Sequence, residues 1–190
     1  MQHGKMSEFK RLYKPLLEQV KWSPPTVLGM TEGVMATWLL DTRSLSRRFQ
    51  QYCQTLSVSL IEQSELAADE LSPEERELLG DQPCLVRKVV LFGDDVPWLL
   101  GRTLIPFSTL TGQEQDLAQL GEVPLGLRVF QDRAARRDAL VLSQVVEGKT
   151  RDDSSFSSAL WARRSRLWLN EKPMLVSEVF LADAPLYQEE

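Results

Sequence analysis

Residues 84–105 read Cys84-Leu85-Val86-Arg87-Lys88-Val89-Val90-Leu91-Phe92-Gly93-Asp94-Asp95-Val96-Pro97-Trp98-Leu99-Leu100-Gly101-Arg102-Thr103-Leu104-Ile105. Two apolar runs rich in branched and aromatic residues flank the turn signal Gly93-Asp94-Asp95, so the stretch predicts a β-hairpin. A second hairpin is predicted from Arg164–Leu169, a turn at Asn170-Glu171-Lys172-Pro173, and Met174–Leu181. Leu56 to Ile61, which alternates with serines, and Val141 to Val146 add strands. Helix signals lie between them. Met35 to Leu40 is short and apolar, and Ser44 caps a helix through Cys53 with Leu45, Phe49 and Tyr52 on one face. Ser72-Pro73-Glu74-Glu75 has the form of a capping box, with Gly80 as the stop. Thr111 and Glu114 open a further helix that Gly121 ends. Hairpins interleaved with capped helices indicate an α+β fold, an antiparallel sheet with helices on one side. Residues 1–25 are polar, close with Ser23-Pro24-Pro25 and read as an N-terminal arm, leaving 26–190 as a single domain.

Three charges fall inside the apolar strands. Alternate residues of a strand share a face, so Arg87 lies with Leu85, Val89 and Leu91. By the same rule Arg102 lies with Trp98, Leu100 and Leu104, and Glu178 with Met174, Val176 and Phe180. An unpartnered charge on a buried face costs several kcal/mol, so such residues pair with each other or with a charged ligand. One Arg–Glu pair would be explained as a structural ion pair. Two arginines against one carboxylate leave surplus positive charge, which favours an enclosed site for an anionic organic acid.

The rest of the chain narrows the chemistry. A net charge of −5 argues against a general nucleic-acid binder. The clusters Arg128, Arg133, Arg136, Arg137 and Arg163, Arg164, Arg166 read as a solvated charged face. No apolar stretch approaches the ~20 residues of a membrane span, and residues 1–10 lack the apolar core of a secretory signal, so a cytoplasmic location is expected. Cys53 and Cys84 read as free buried thiols. The single histidine, His3, argues against Ser-His-Asp or Cys-His catalysis and against histidine-ligated metals. The 10 glycines contain no phosphate loop or dinucleotide fingerprint.

Read in order, several phrases carry a resemblance. They are Pro97-Trp98-Leu99-Leu100-Gly101-Arg102-Thr103, Ser108-Thr109-Leu110-Thr111-Gly112, Leu120-Gly121 with Pro124-Leu125-Gly126, Leu160-Trp161-Ala162-Arg163-Arg164-Ser165-Arg166-Leu167, and Lys172-Pro173 through Leu181 with Ala184-Pro185-Leu186-Tyr187. From about Trp38 to Tyr187 the chain resembles bacterial chorismate pyruvate-lyases, which supply 4-hydroxybenzoate for ubiquinone synthesis. The resemblance implies a six-stranded antiparallel sheet with helical flaps over an internal ligand site, and residues 72–80 and 111–121 are the expected flaps. It also implies a monomer that needs no cofactor and releases its aromatic product slowly. The family's substrate-contacting residues fall on Arg87, Gly101, Arg102, Leu125 and Glu178, and Leu45 stands where the family has a methionine. Residues 145–158 diverge from the family pattern.

Chorismate carries two carboxylates, and a guanidinium binds a carboxylate through a planar two-donor fork. The expected roles are carboxylate anchoring by Arg87, stabilisation of the departing enolpyruvyl group by Arg102, and general acid/base action by Glu178. Three rival readings stand beside this one. A non-catalytic effector domain of the same fold would carry a DNA-binding domain ahead of it, for which ~35 preceding residues leave no room. A lyase acting on a related enolpyruvyl ether is distinguished by its product. A structural or interaction protein finds no support in repeats or coiled-coil heptads.

Overall fold

The computed structural model describes residues 2–18, 20–131, 135–145 and 159–188. Val146, the polar stretch 148–158 and Arg133 lie outside them. Six strands, β1 (Leu56–Leu66), β2 (Cys84–Gly93), β3 (Val96–Pro106), β4 (Arg136–Val145), β5 (Leu160–Leu169) and β6 (Lys172–Phe180), form one sheet in the order β1-β2-β3-β6-β5-β4. Every neighbouring pair is antiparallel. The two hairpins read from the sequence are β2–β3 and β5–β6, and they meet at the centre, where β3 pairs with β6. Their turns use Asp94-Asp95 (φ 47° and 66°) and Asn170-Glu171 (φ 50° and 61°), the left-handed pair that a two-residue hairpin turn demands. Asp94 is held in this conformation by backbone N–H groups of Gln54 (3.0 Å) and Thr55 (2.8 Å), which donate to its carboxylate.

Helices cover both faces of the sheet rather than one. On the first face, α2 (Val34–Leu39) and α3 (Leu45–Phe49) pack Trp38, Leu39 and Phe49 against Val89, Leu91, Leu99 and Phe180. Beside them the helical turn Gly112–Gln119 and α5 (Leu125–Val129) set Leu117, Leu125 and Val129 against Leu85, Ile105, Leu167 and Val176. On the second face α1 (Gln2–Tyr13), continued by Lys14–Glu18, buries Tyr13 and Leu17 against Val90, Leu100 and Val179. There α4 (Pro73–Leu79) buries Leu79 against Val86, Leu104 and Leu175. The reason lies in the strands: β2 and β3 are buried almost continuously, so both faces need cover.

Three expectations change accordingly. The first 25 residues are not a detached arm, since Tyr13 is only 1% exposed and Ser23 pairs with Leu142 through two backbone hydrogen bonds (2.9 and 2.8 Å). The capping box of Ser72 and Glu75 forms as read, but its helix lies on the second face and is no flap over the first. The second lid beside 112–129 is α2–α3, which Ser44 caps through the Arg47 N–H and which ends at Phe49. Thr111 does not cap with its side chain; its hydroxyl donates to the Ser108 carbonyl.

A register shift in the first hairpin decides which charges meet. Next to the turn, Gly93 faces Val96 and Phe92 faces Pro97. From there the pairing slips by one, Leu91 to Leu99, with Trp98 the extra residue. Without the slip Arg87 would oppose Arg102; with it Arg87 opposes Thr103, and Arg102 opposes Lys88. A one-residue change of register moves every side chain to the other face, and such bulges re-aim side chains beside functional sites. Glycine at position 93 permits the bulge, because a Cβ there would lie 2.1 Å from the Trp98 ring. Gly93→Ala is therefore expected to destabilise the fold by about 1–3 kcal/mol, read as a lower midpoint in urea denaturation; an unchanged midpoint would deny the ring this seat.

Candidate active site

Antiparallel register brings Arg87 of β2, Arg137 of β4, Arg163 of β5 and Glu178 of β6 to the first face. Arg163 lies opposite Glu178, and Gly101 opposes Glu178 from the other side. A pocket between this face and the two lids is lined by Arg87, Val89, Leu91, Leu99, Gly101, Thr103, Leu167, Val176 and Glu178 from the sheet. Leu45 and Ser46 close it from α3, Leu125, Gly126 and Phe130 from α5 and its end, and Arg137 from the edge strand. Its free volume is ≈ 50 Å³. Because a cavity of about 150 Å³ suits one benzene, a substituted ring enters only when a lid yields.

Each buried arginine ties the sheet to one lid. Arg87, 1% exposed, donates from Nη2 to the carbonyls of Gly121 and Val123, both at 2.8 Å. Arg163, 0% exposed, donates from Nε to Glu178 Oε2 at 2.7 Å and from Nη1 to the carbonyls of Asp41 (3.0 Å) and Trp38 (3.3 Å). The lids touch where Gly126 meets α3: a Cβ there would lie 2.9 Å from Ser46 Oγ and 3.1 Å from Ser44 Oγ.

The charges do not balance within the protein. Among the described residues three guanidiniums stand against the single carboxylate of Glu178, so two positive charges remain. Arg87 Nε, Arg137 Nε and Arg163 Nη2 are buried without a hydrogen-bond partner among the described residues. Burial pushes Arg87 down to about 10, opposed by Tyr13. Burial, and then the charge of Arg163, push Arg137 down to about 9, while Glu178 and Asp41 oppose the fall. Both directions reflect cations taken from water without enough anionic company, a deficit that a dianionic ligand removes.

Arg87, Gly101, Leu45, Leu125 and Glu178, the residues singled out from the sequence, all line this pocket. Arg102 does not. Its guanidinium lies on the second face, 2.8 Å from Glu75 and 3.8 Å from Glu18, so protein carboxylates already meet its charge. The residues missed are Arg163 and Arg137, which the sequence reading placed on a solvated face. For Arg163 a signal existed: as a strand residue it alternates with Trp161, Ser165 and Leu167, as Arg87 does with its neighbours. Arg137 gave none, because β4 is irregular between Asp138 and Val141.

Comparison with known proteins gives the family and the fold. The family model described as chorismate lyase matches residues 16–190. A probable chorismate pyruvate-lyase of Photobacterium profundum is 55% identical over 97% of this chain and 98% of its own. A probable chorismate pyruvate-lyase of Vibrio vulnificus is 44% identical over 97% of this chain and 99% of its own. Among solved structures, the effector domain of PhnF from Mycobacterium smegmatis shares the fold, with a TM-score of 0.52 at 15% identity over 74% of this chain and 90% of that one.

Removing one partner of a buried ion pair leaves the other charge stranded. Arg163→Met is therefore expected to cost about 3–5 kcal/mol in urea denaturation, and Arg163→Met with Glu178→Leu to recover most of it. A double variant no more stable than the single one would mean that the lid contacts of Arg163, and not its pair, hold the fold.

Proposed function

The chain belongs to the chorismate lyase family, and we propose on that premise that it converts chorismate to 4-hydroxybenzoate and pyruvate within the pocket of Arg87, Arg137 and Glu178. The observation that carries the reading is the two positive charges left uncompensated among the described residues around a small, largely apolar pocket, which match a dianionic ring compound. In the reaction the ether bond to the ring breaks, and the ring carbon bearing the hydroxyl gives up its hydrogen as a proton. The departing enolpyruvate takes a proton on its methylene carbon to become pyruvate. Aromatisation drives the step, so the protein's part is to hold geometry, meet developing charge and move a proton.

Arg87 anchors the ring carboxylate, the group that product retains. Arg137 takes the place expected for Arg102: it meets the enolpyruvyl carboxylate and the charge that builds as the ether oxygen leaves. Glu178 moves the proton. Its Oε2 is occupied by Arg163, which leaves Oε1 for the ring hydroxyl and adjacent carbon. Leu45, Leu125 and Gly101 shape the walls, with a Gly101 Cβ already 3.1 Å from Val89. The reading makes the product a precursor for ubiquinone, formed in the cytoplasm; no helix among the described residues is long and apolar enough to cross a membrane.

The two arginine roles separate by experiment. Arg87→Gln is expected to weaken both chorismate and 4-hydroxybenzoate binding, whereas Arg137→Gln weakens chorismate and leaves 4-hydroxybenzoate affinity within about twofold, since product lacks the second carboxylate. Calorimetry with each ligand decides, and equal losses for both ligands in Arg137→Gln would reverse its assignment. Glu178→Gln is expected to lower kcat about a hundredfold, followed as pyruvate through lactate dehydrogenase; an unaltered kcat would remove Glu178 from proton transfer.

A further inference from the structure

Outside the pocket lies a larger cleft of ≈ 790 Å³, walled by Arg43, Arg47, Arg48, Arg136 and Arg137, with Asp41 the one acidic residue among the described residues that line it. Among the described residues, five guanidiniums against one carboxylate make its lining strongly cationic in a chain whose net charge is −5. Asp41 is shared by Arg43 (2.9 Å) and Arg48 (3.6 Å), so one carboxylate answers two cations. Arg47 is exposed and has no ion-pair partner among the described residues. Arg136 pairs away from the cleft, with Glu171 (3.4 Å) and Asp138 (3.5 Å).

The cleft and the inner pocket have two residues in common, Phe130 and Arg137. The Arg137 guanidinium lies 5.9 Å from the Phe130 ring centre, and its Nη1 donates to Ser165 Oγ. Two side chains thus border both cavities, one of them an arginine whose buried Nε lacks a partner among the described residues. The inner pocket is too small for a ring as it stands, and these two side chains adjoin the broad cationic cleft.

We infer that the arginine cleft is an outer capture site for aromatic and enolpyruvyl carboxylates, from which the anion passes inward as Arg137 and Phe130 swing aside. The identity of the anion rests on the lyase reading; the site itself rests on charge and shape. Clefts lined by one sign of charge concentrate counter-charged ligands and speed their association in a salt-dependent way. Arg137 belongs to both sites and transfers the carboxylate between them without leaving it uncompensated.

The test is the association rate of 4-hydroxybenzoate, followed by stopped-flow tryptophan fluorescence across ionic strength. In the unaltered protein the rate is expected to fall as salt rises. Arg47→Glu is expected to lower it about tenfold at low salt and to flatten the salt dependence, while Arg47→Lys restores both. Arg11→Glu makes the same change of charge on the exposed side of α1, away from the cleft, and is expected to leave the rate within about twofold. Equal losses in Arg47→Glu and Arg11→Glu, or a salt-independent rate in the unaltered protein, would overturn the capture site. Pyruvate release from saturating chorismate by the unaltered protein reports on the lyase reading separately. Its absence alongside salt-steered binding would sink the reaction and keep the cleft.

Discussion

The structure depends on two guanidiniums buried under lids that they themselves hold down. Arg87 and Arg163 each occupy the first face of the sheet, and each donates to two backbone carbonyls of a different lid. Burying a cation is tolerable only where hydrogen bonds and opposite charge replace water. For Arg163 the replacement is nearly complete, through Glu178 and the Trp38 and Asp41 carbonyls. For Arg87 it is partial, because both carbonyl bonds use one nitrogen and Nε is left over. The same groups thus close the pocket and leave it wanting an anion. On the proposed function, an arriving carboxylate would complete the shell of Arg87 and compete with the carbonyls that hold the lid of residues 112–129, coupling binding to lid position through one side chain.

The two faces of the sheet put similar chemistry to different ends. On the first face, arginines outnumber carboxylates at the pocket. On the second face, Arg102 and Lys88 sit among Glu18, Glu62 and Glu75, so their charges are met within the protein. Adjacent residues of one strand, Gly101 and Arg102, therefore belong to different environments. Glycine faces the pocket, where a Cβ would lie 3.1 Å from Val89, and arginine faces the charged layer beneath α1 and α4.

The sequence by itself determined the elements and most of the pocket. Hairpin turns, the Ser72 capping box and strand alternation are local properties, written in residues a few positions apart. They suffice to bury Arg87 and Glu178 and to draw the strands of the central sheet. The phrases around Gly101, Leu125 and Glu178 pointed to the family for the same reason, since each is a contiguous run. Tertiary structure alone decided which strand faces coincide. Alternation fixes a residue's companions within its strand and says nothing of the register between strands. One bulged residue, Trp98 seated over Gly93, turned Arg102 away from Arg87. Pairing of β4 with β5 and of β5 with β6 brought Arg137 and Arg163 to the pocket from segments that look like solvated charge when read in isolation. A single-residue slip inverts a face at almost no local signature, so the second cation of the site became visible only once the strands were laid side by side.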